Sequence, residues 1–233
     1  MKIENANILI TGGTLGIGRA TAELLIAHGA NVAITGRDEE RTHKAAREIG
    51  ALPITADVAN PEDVKRTYSV FMEEFGRLDV LINNAGIGTH GRLEEVSLEE
   101  FRRVYEVNVF GAAMMGAQAA EIFKRQNYGN IINIGSSAAV NGYEGGTVYA
   151  SSKFALRGMT QCWLRELRKY NVRVMLINPS EVTTAFGRSD RQEREEQPNK
   201  LRGEEIARAI KGALELDDRG FIPELGVWAT NPF

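Results

Sequence analysis

Ile8-Leu9-Ile10-Thr11-Gly12-Gly13-Thr14-Leu15-Gly16-Ile17-Gly18 is the stretch on which the fold turns. Three apolar residues run straight into a glycine-rich turn, and an amphipathic stretch, Ile17–His28, follows at once and stops at Gly29. Short apolar run, turn and amphipathic run read as strand, loop and helix. Gly12, Gly16 and Gly18 stand in the spacing G-x-x-x-G-x-G. Such glycines let the backbone turn tightly and approach a phosphate, whose charge is favoured at a helix N-terminus. The spacing is not G-x-G-x-x-G, and the turn does not end in Gly-Lys-Ser/Thr, which argues against a nucleoside triphosphatase loop.

The same alternation continues outward. Val32–Ile34, Leu52–Thr55, Val80–Ile82, Ile131–Ile134 and Val172–Ile177 are short runs rich in β-branched residues, as strands covered on both faces should be. Helices are expected between them at Glu39–Ile49 and Pro61–Phe75, each followed by a glycine, and as two longer pieces, Ser97–Arg125 and Tyr149–Tyr170. A weaker final strand is expected at Gly220–Pro223. This pattern predicts an α/β fold, a doubly wound parallel sheet of about seven strands with helices on both faces, in one domain spanning 1–233. The charged segment 185–202, AFGRSDRQEREEQPNKLR, breaks the rhythm and reads as a solvated loop with a short surface helix, placed to act as a substrate lid.

Composition narrows the class. The 233 residues are 43% hydrophobic and 25% charged, with a net charge of −3, so nothing in the charge favours nucleic acid as a partner. One cysteine, Cys162, allows no internal disulfide. The apolar runs are too short for a signal peptide or a membrane span, and a cytoplasmic location is expected. No cluster of His, Cys, Asp or Glu has metal-ligand spacing, so no metal is expected.

Chemistry is suggested first by Tyr149 and Lys153 in VYASSKFAL. Four residues apart, they share a helix face, so an ammonium can sit beside a phenol and draw its pKa down from about 10. Ser136, thirteen positions before Tyr149, could bond a substrate oxygen while the phenol gives or takes its proton. These are parts for interconverting an alcohol and a carbonyl if another group carries the hydride. Arg37, at the end of the second strand, suits the 2′-phosphate of NADP, where an acidic residue would suit the ribose hydroxyl of NAD. Asp57-Val58 and Asn83-Asn84-Ala85-Gly86 close the third and fourth strands, at the edge where open α/β sheets bind ligands.

With these residues in place, the chain resembles the short-chain dehydrogenase/reductase family in its compact form, from Ile8 to about Thr184. TGGTLGIG matches the family's cofactor loop, Asn83–Gly86 its N-N-A-G motif, and Tyr149 and Lys153 its Y-x-x-x-K pair. The resemblance implies a Rossmann-type fold, with Asn108, Ser136, Tyr149 and Lys153 as the catalytic set. Tyr149 would be the general acid/base, Lys153 would lower its pKa and hold the nicotinamide ribose, Ser136 would orient the carbonyl, and Asn108 would support a water-linked proton relay. It places the cofactor, NADP(H) by the sign of Arg37, on Gly12, Thr14, Leu15, Gly16, Ile17 and Gly18. Asp57 and Val58 would flank the adenine, and Asn83, Ala85 and Gly86 would line the adenosine and ribose. Pro179, Val182 and Thr184 resemble the segment that contacts the carboxamide. Leu15 stands where many NADP-dependent members carry a basic residue, and Ser180 where the family usually has glycine.

A small-molecule carbonyl or alcohol is the substrate so implied. Members of this length include 3-oxoacyl-thioester reductases, and Arg188, Arg191 and Arg194 would favour an anionic group, though Asp190, Glu193, Glu195 and Glu196 interleave with them. A homodimer or homotetramer through the two long helices is also implied; the C-terminus lacks the Gly-rich tail many members use in tetramer contacts. The alternative is a non-catalytic NADP-binding redox sensor or scaffold, whose relatives usually lose the tyrosine or lysine. Four further residues read as bland or open: His90 as a solvated loop histidine, Cys162 as a packed residue, and Trp228 and Phe233 as covers for the pocket or a neighbouring subunit.

Overall fold

The computed structural model describes residues 1–187, 190 and 192–232. Seven strands form one parallel sheet: β1 (Asn7–Ile10), β2 (Asn31–Gly36), β3 (Leu52–Thr55), β4 (Val80–Asn83), β5 (Gly129–Ile134), β6 (Val172–Pro179) and β7 (Glu224–Val227). Their order is β3-β2-β1-β4-β5-β6-β7. The chain therefore steps outward from β1 to β3, then returns to the other side of β1 at β4. That reversal leaves a crevice beyond the carboxyl ends of β1 and β4, where such sheets take their ligands.

Strand alternation divides the core in two. Ile8, Ile10, Ile34, Ile82, Ile132 and Ile177 face one layer, with helices α1 (Gly16–Ala27) and α7 (Gly203–Glu215) over them through Leu25, Ile206 and Ile210. Leu9, Leu81, Ile131 and Val174 face the other, covered by Phe71 of α3 (Pro61–Phe75) and by Met115 and Phe123 of α5 (Ala112–Gln126). Because both faces are covered, the central strands carry apolar residues at successive positions, as in Ile8–Ile10 and Val80–Ile82. Side-chain caps fix several helix starts. Asp38 accepts from the Arg41 N–H before α2 (Glu39–Ile49), and Asn60 accepts from Glu62 N–H before Pro61 of α3. Gly50 and Gly76 end these two helices at φ +76° and +68°, which a side chain would strain.

Three expectations are corrected, and one helix is new. The stretch expected as one helix over Ser97–Arg125 is α4 (Leu98–Tyr105), a π-helical turn at Glu106–Gly111, and α5. The wide turn lies where Gly111 passes Val58 so closely that a Cβ would meet the valine side chain at 2.8 Å. The expected helix Tyr149–Tyr170 starts earlier, as α6 (Thr147–Leu167), and closes with a 3-10 turn at Arg168–Tyr170. The last strand lies at Glu224–Val227, not Gly220–Pro223, because Pro223 has no N–H for the ladder and contributes only its carbonyl, to Leu176 N–H. Helix α7 was not foreseen; its buried face is Ile206, Ala207, Ile210, Ala213 and Leu214.

Candidate active site

The crevice beyond β1 and β4 opens into a cavity of about 870 Å³. One end is bounded by Thr14, Arg37, Arg41, Asp57 and Val58, the middle by Gly12, Leu15, Gly16, Ile17, Ala85 and Gly86, and the other end by Ser136, Tyr149, Lys153, Pro179, Val182 and Thr184. Sixteen of the nineteen residues expected to take part in catalysis or cofactor binding thus face one space. Gly18, Asn83 and Asn108 do not line it.

The loop between β1 and α1 owes its shape to contacts that exclude side chains. Gly12 and Gly16 have φ +65° and +55°. A Cβ on Gly12 would lie 2.9 Å from Ala85 Cα, and one on Gly18 would overlap Asn84 Nδ2 and the Gly12 carbonyl. Gly18 therefore packs the loop together rather than facing a ligand. Asn84, named in the sequence only as part of the N-N-A-G motif, binds the two loops: Nδ2 donates to the carbonyls of Thr11 (3.0 Å) and Gly12 (2.9 Å). In return Thr11 Oγ1 accepts from the N–H groups of Asn84 and Ala85, each at 3.0 Å.

Asn83, expected beside the ribose, turns inward. It is the last residue of β4, and its Nδ2 donates to Asn133 Oδ1 at 2.9 Å and to the Ala112 carbonyl at 3.4 Å. Asn133 in turn reaches Thr160 on α6 at 2.8 Å. Asn83 is thus a brace between sheet and helices. Asn108 sits in the π-helical turn, and its amide closes on Ile87: Oδ1 accepts from Ile87 N–H and Nδ2 donates to Ile87 O, both at 2.9 Å, with Ser152 Oγ at 3.0 Å. Both of its N–H donors are engaged, so the side chain pins the backbone just after Gly86.

At the reacting end, α6 presents Tyr149 and Lys153 one turn apart, with the ammonium 5.8 Å from the phenol ring centre. Lys153 is buried, pairs with no carboxylate among the described residues, and donates to the Ile134 carbonyl at 2.8 Å. Burial lowers its pKa to about 8. The Tyr149 phenol moves the other way, to about 12, chiefly by burial; a bond with Ser136 pulls it back in part, and Tyr143 adds to the rise. The shift runs opposite to the depression expected from Lys153, and burial is its leading cause. Ser136 begins the 3-10 turn Ser137–Ala139, and its Oγ accepts from Ala138 N–H at 3.1 Å.

Three rings wall the cavity near this end or open onto it: Tyr143, Phe186 and Trp228. Phe186 lies 5.5 Å from the Tyr149 ring and packs on Gly88, where a Cβ would meet it at 2.8 Å. Arg194 also lines the cavity, its guanidinium 3.5 Å from the Glu181 carboxylate, which takes Lys200 as well at 2.6 Å. Arg188, Arg191 and Phe233 lie outside the described residues. From the charged segment, Glu193 reaches the glycine loop: its Oε1 accepts from Gly16 N–H, the first residue of α1, at 2.9 Å. Arg41 is a second guanidinium at the Arg37 end, missed because a helix residue at that spacing carries no local signal. Arg37 pairs loosely with Asp57 at 3.8 Å. His90 packs against Gly145 and does not line the cavity. Cys162 is exposed rather than packed, on the outer side of α6. Among the described residues no group of three His, Cys, Asp or Glu could hold a metal, and no helix is long and apolar enough to cross a membrane.

The cavity fits a nicotinamide dinucleotide on its own geometry. Its volume is in the range of cofactor sites, its middle is a glycine-rich loop at a helix start, and cations mark one end. Comparison with known proteins agrees. The family model "short chain dehydrogenase" matches residues 6–195. The trans-4-hydroxycyclohexanecarboxylate dehydrogenase of Sinomonas cyclohexanicum is 35% identical over 194 residues, covering 78% of this chain and 74% of that protein. Among solved structures, an alcohol dehydrogenase from Thermococcus sibiricus complexed with 5-hydroxy-NADP superposes with TM-score 0.87 at 29% identity, covering 97% of each chain. The 3-ketoacyl-(acyl-carrier-protein) reductase from Brucella melitensis complexed with NADH gives 0.88 at 26% identity, over 99% of this chain and 100% of that one. The glycine loop, the seven-stranded order and the Tyr149–Lys153 pair are thus those of the short-chain dehydrogenase family, to which this chain belongs as a nicotinamide-dependent oxidoreductase of alcohol and carbonyl groups.

Proposed function

We propose that the chain interconverts an uncharged, apolar ketone or aldehyde and its alcohol with NADP(H), using Tyr149 as the proton donor and acceptor. The observation that carries this reading is the convergence of Tyr149, Ser136 and Lys153 at one end of a cavity whose other end holds Arg37 and Arg41. When bound, the cofactor supplies or takes up the hydride at the carbonyl carbon. Ser136 bonds the carbonyl oxygen and orients it, and Tyr149 hands that oxygen its proton. Tyr149 is protonated at neutral pH, the state from which it donates in the direction of reduction. Lys153 spends one N–H on Ile134 and has two left for the ribose hydroxyls of the nicotinamide half.

The remaining assignments follow the cavity. The N–H groups at the start of α1, over Gly16 and Ile17, hold the pyrophosphate, while Thr14, Leu15 and Gly12 shape the turn. Asp57 and Val58 take the adenine, Ala85 and Gly86 the adjoining ribose, and Pro179, Val182 and Thr184 the carboxamide side. Asn108 acts by fixing the backbone behind Gly86. Arg37 and Arg41 favour the 2′-phosphate of NADP. The apolar character of the substrate rests on Tyr143, Phe186 and Trp228, and on the engagement of Arg194 by Glu181. The segment 185–202 serves as the substrate loop through Phe186. A homo-oligomer, dimer or tetramer, is in keeping with the exposed rings of Phe110 and Phe154 beside the long helices; a monomer's mass by light scattering would exclude it.

The experiment is a panel of aromatic, alicyclic and anionic carbonyls, followed by oxidation of NADPH and of NADH. The expected result is turnover of the apolar carbonyls with NADPH preferred, and a preference shifted toward NADH by roughly tenfold or more in Arg37→Asp. NADH preferred by the unaltered chain would sink the NADP assignment. Cofactor binding with no turnover of any carbonyl would favour a sensor.

A further inference from the structure

Behind Ser136 lies a polar chain that the reaction as described does not use. Ser136 follows β5 by way of Gly135, whose N–H donates to the Ile177 carbonyl at 2.8 Å. The Ser136 N–H donates to Asn178 Oδ1 at 3.2 Å. Asn178 is buried on β6, and its amide lies so close to the turn that a Cβ on Gly135 would overlap Oδ1. On its other side Asn178 Nδ2 donates to Glu224 Oε1 at 2.9 Å. Glu224 opens β7 opposite Leu176, while Asn178 pairs with Gly226, so the two side chains are diagonal neighbours on one face of the sheet. Arg157 closes the chain: its Nε donates to Glu224 Oε2 at 3.0 Å.

Arg157 stands on α6 four residues beyond Lys153, which stands four beyond Tyr149, so the three share one stripe of the helix. The hydrogen bonds therefore run from the helix that carries the phenol, across the edge strand, to the backbone of the serine that faces it. Their direction is determined by chemistry. A carboxylate only accepts, so Glu224 obliges Asn178 to turn its NH₂ outward and its oxygen toward Ser136. Without that carboxylate the amide is free to flip, setting a donor against the Ser136 N–H and leaving a buried group unmatched.

We propose that Arg157, Glu224 and Asn178 are positioning residues that hold the Ser136 turn in register with Tyr149, which makes the edge strand β7 part of the catalytic apparatus. The proposal rests on the roles given above to Ser136 and Tyr149. Its test therefore pairs a kinetic readout with one that needs no turnover.

In Glu224→Leu, kcat for carbonyl reduction should fall about tenfold or more while the cofactor dissociation constant, read by protein fluorescence, stays within about threefold. In a Ser136→Ala background the same substitution should cost little further, because the group it positions is gone. Independently, amide exchange at Ser136 in the full chain should quicken about tenfold or more, with exchange in β1 and β4 unchanged. Equal losses of kcat in both backgrounds, or unchanged protection of the Ser136 amide, would overturn the proposal; the second result decides even if no carbonyl is turned over. Should β1 and β4 also exchange faster, Glu224→Leu has loosened the whole sheet, and Asn178→Ala, which leaves the Glu224–Arg157 pair in place but removes the acceptor of the Ser136 N–H, replaces it under the same criteria.

Discussion

Lys153 and Tyr149 were brought together by burial as much as by spacing, and burial sets their protonation. The ammonium is removed from water beside the Ile134 carbonyl and the Tyr149 ring, and this burial costs it part of its affinity for the proton and brings it to about 8. The phenol, buried likewise, resists ionisation and rises to about 12. The consequence for stability has a definite sign. Lys153 binds its proton less tightly folded than unfolded, so the destabilisation it causes is fully present below pH 8. It is relieved as the pH climbs toward the unfolded value near 10.5. Between pH 8 and 10 the Tm of the wild-type chain should therefore rise relative to that of Lys153→Met. A difference that is flat or falls with pH would contradict the assignment.

At the scale of elements, the start of α1 is the point where the sheet, the cofactor site and the charged segment meet. Its N–H groups lack helical partners and attract anions. Glu193 supplies one, through the bond to Gly16 N–H, and a pyrophosphate would seek the same donors. Cofactor bound there as proposed would require the carboxylate to leave. Glu193→Gln should tighten NADPH binding by about threefold to tenfold, since a neutral amide competes less well than a carboxylate. Titration calorimetry reads this directly, and weaker binding in the variant would mean that Glu193 supports the cofactor site instead.

Across the whole molecule, what could be read in the sequence was what is local. Ile8 to Gly18 carries strand, turn and helix within one short span, and Glu39–Ile49 and Pro61–Phe75 carry their own start and stop signals, so those elements lie where the pattern put them. Helix α7 had a legible apolar stripe, but the charged run before it masked the change of character. The final strand was displaced because Phe221 and Ile222 are apolar, whereas Pro223 decides where the ladder can begin. The π-helical turn answers to Val58, far away in sequence, and could not be seen from Glu106–Gly111 alone. The site behaved similarly: residues on the strand ends and on α6 were recognisable by motif, while Asn84, Arg41, Glu193 and the Asn178–Glu224–Arg157 chain matter only through partners that folding brings near. Asn83 was misplaced for the same reason. Strand alternation turned it from the cavity toward Asn133.

The proposed function turns on a proton delivered from the Tyr149 phenol, and removing that proton alone is the most direct test. Tyr149→Phe keeps the ring and its contact with Phe186. Steady-state reduction of a carbonyl accepted by the wild-type chain should fall roughly 10²- to 10⁴-fold in the variant, with the NADPH dissociation constant within about threefold. A variant that turns over at close to the wild-type rate would show that the proton comes from elsewhere.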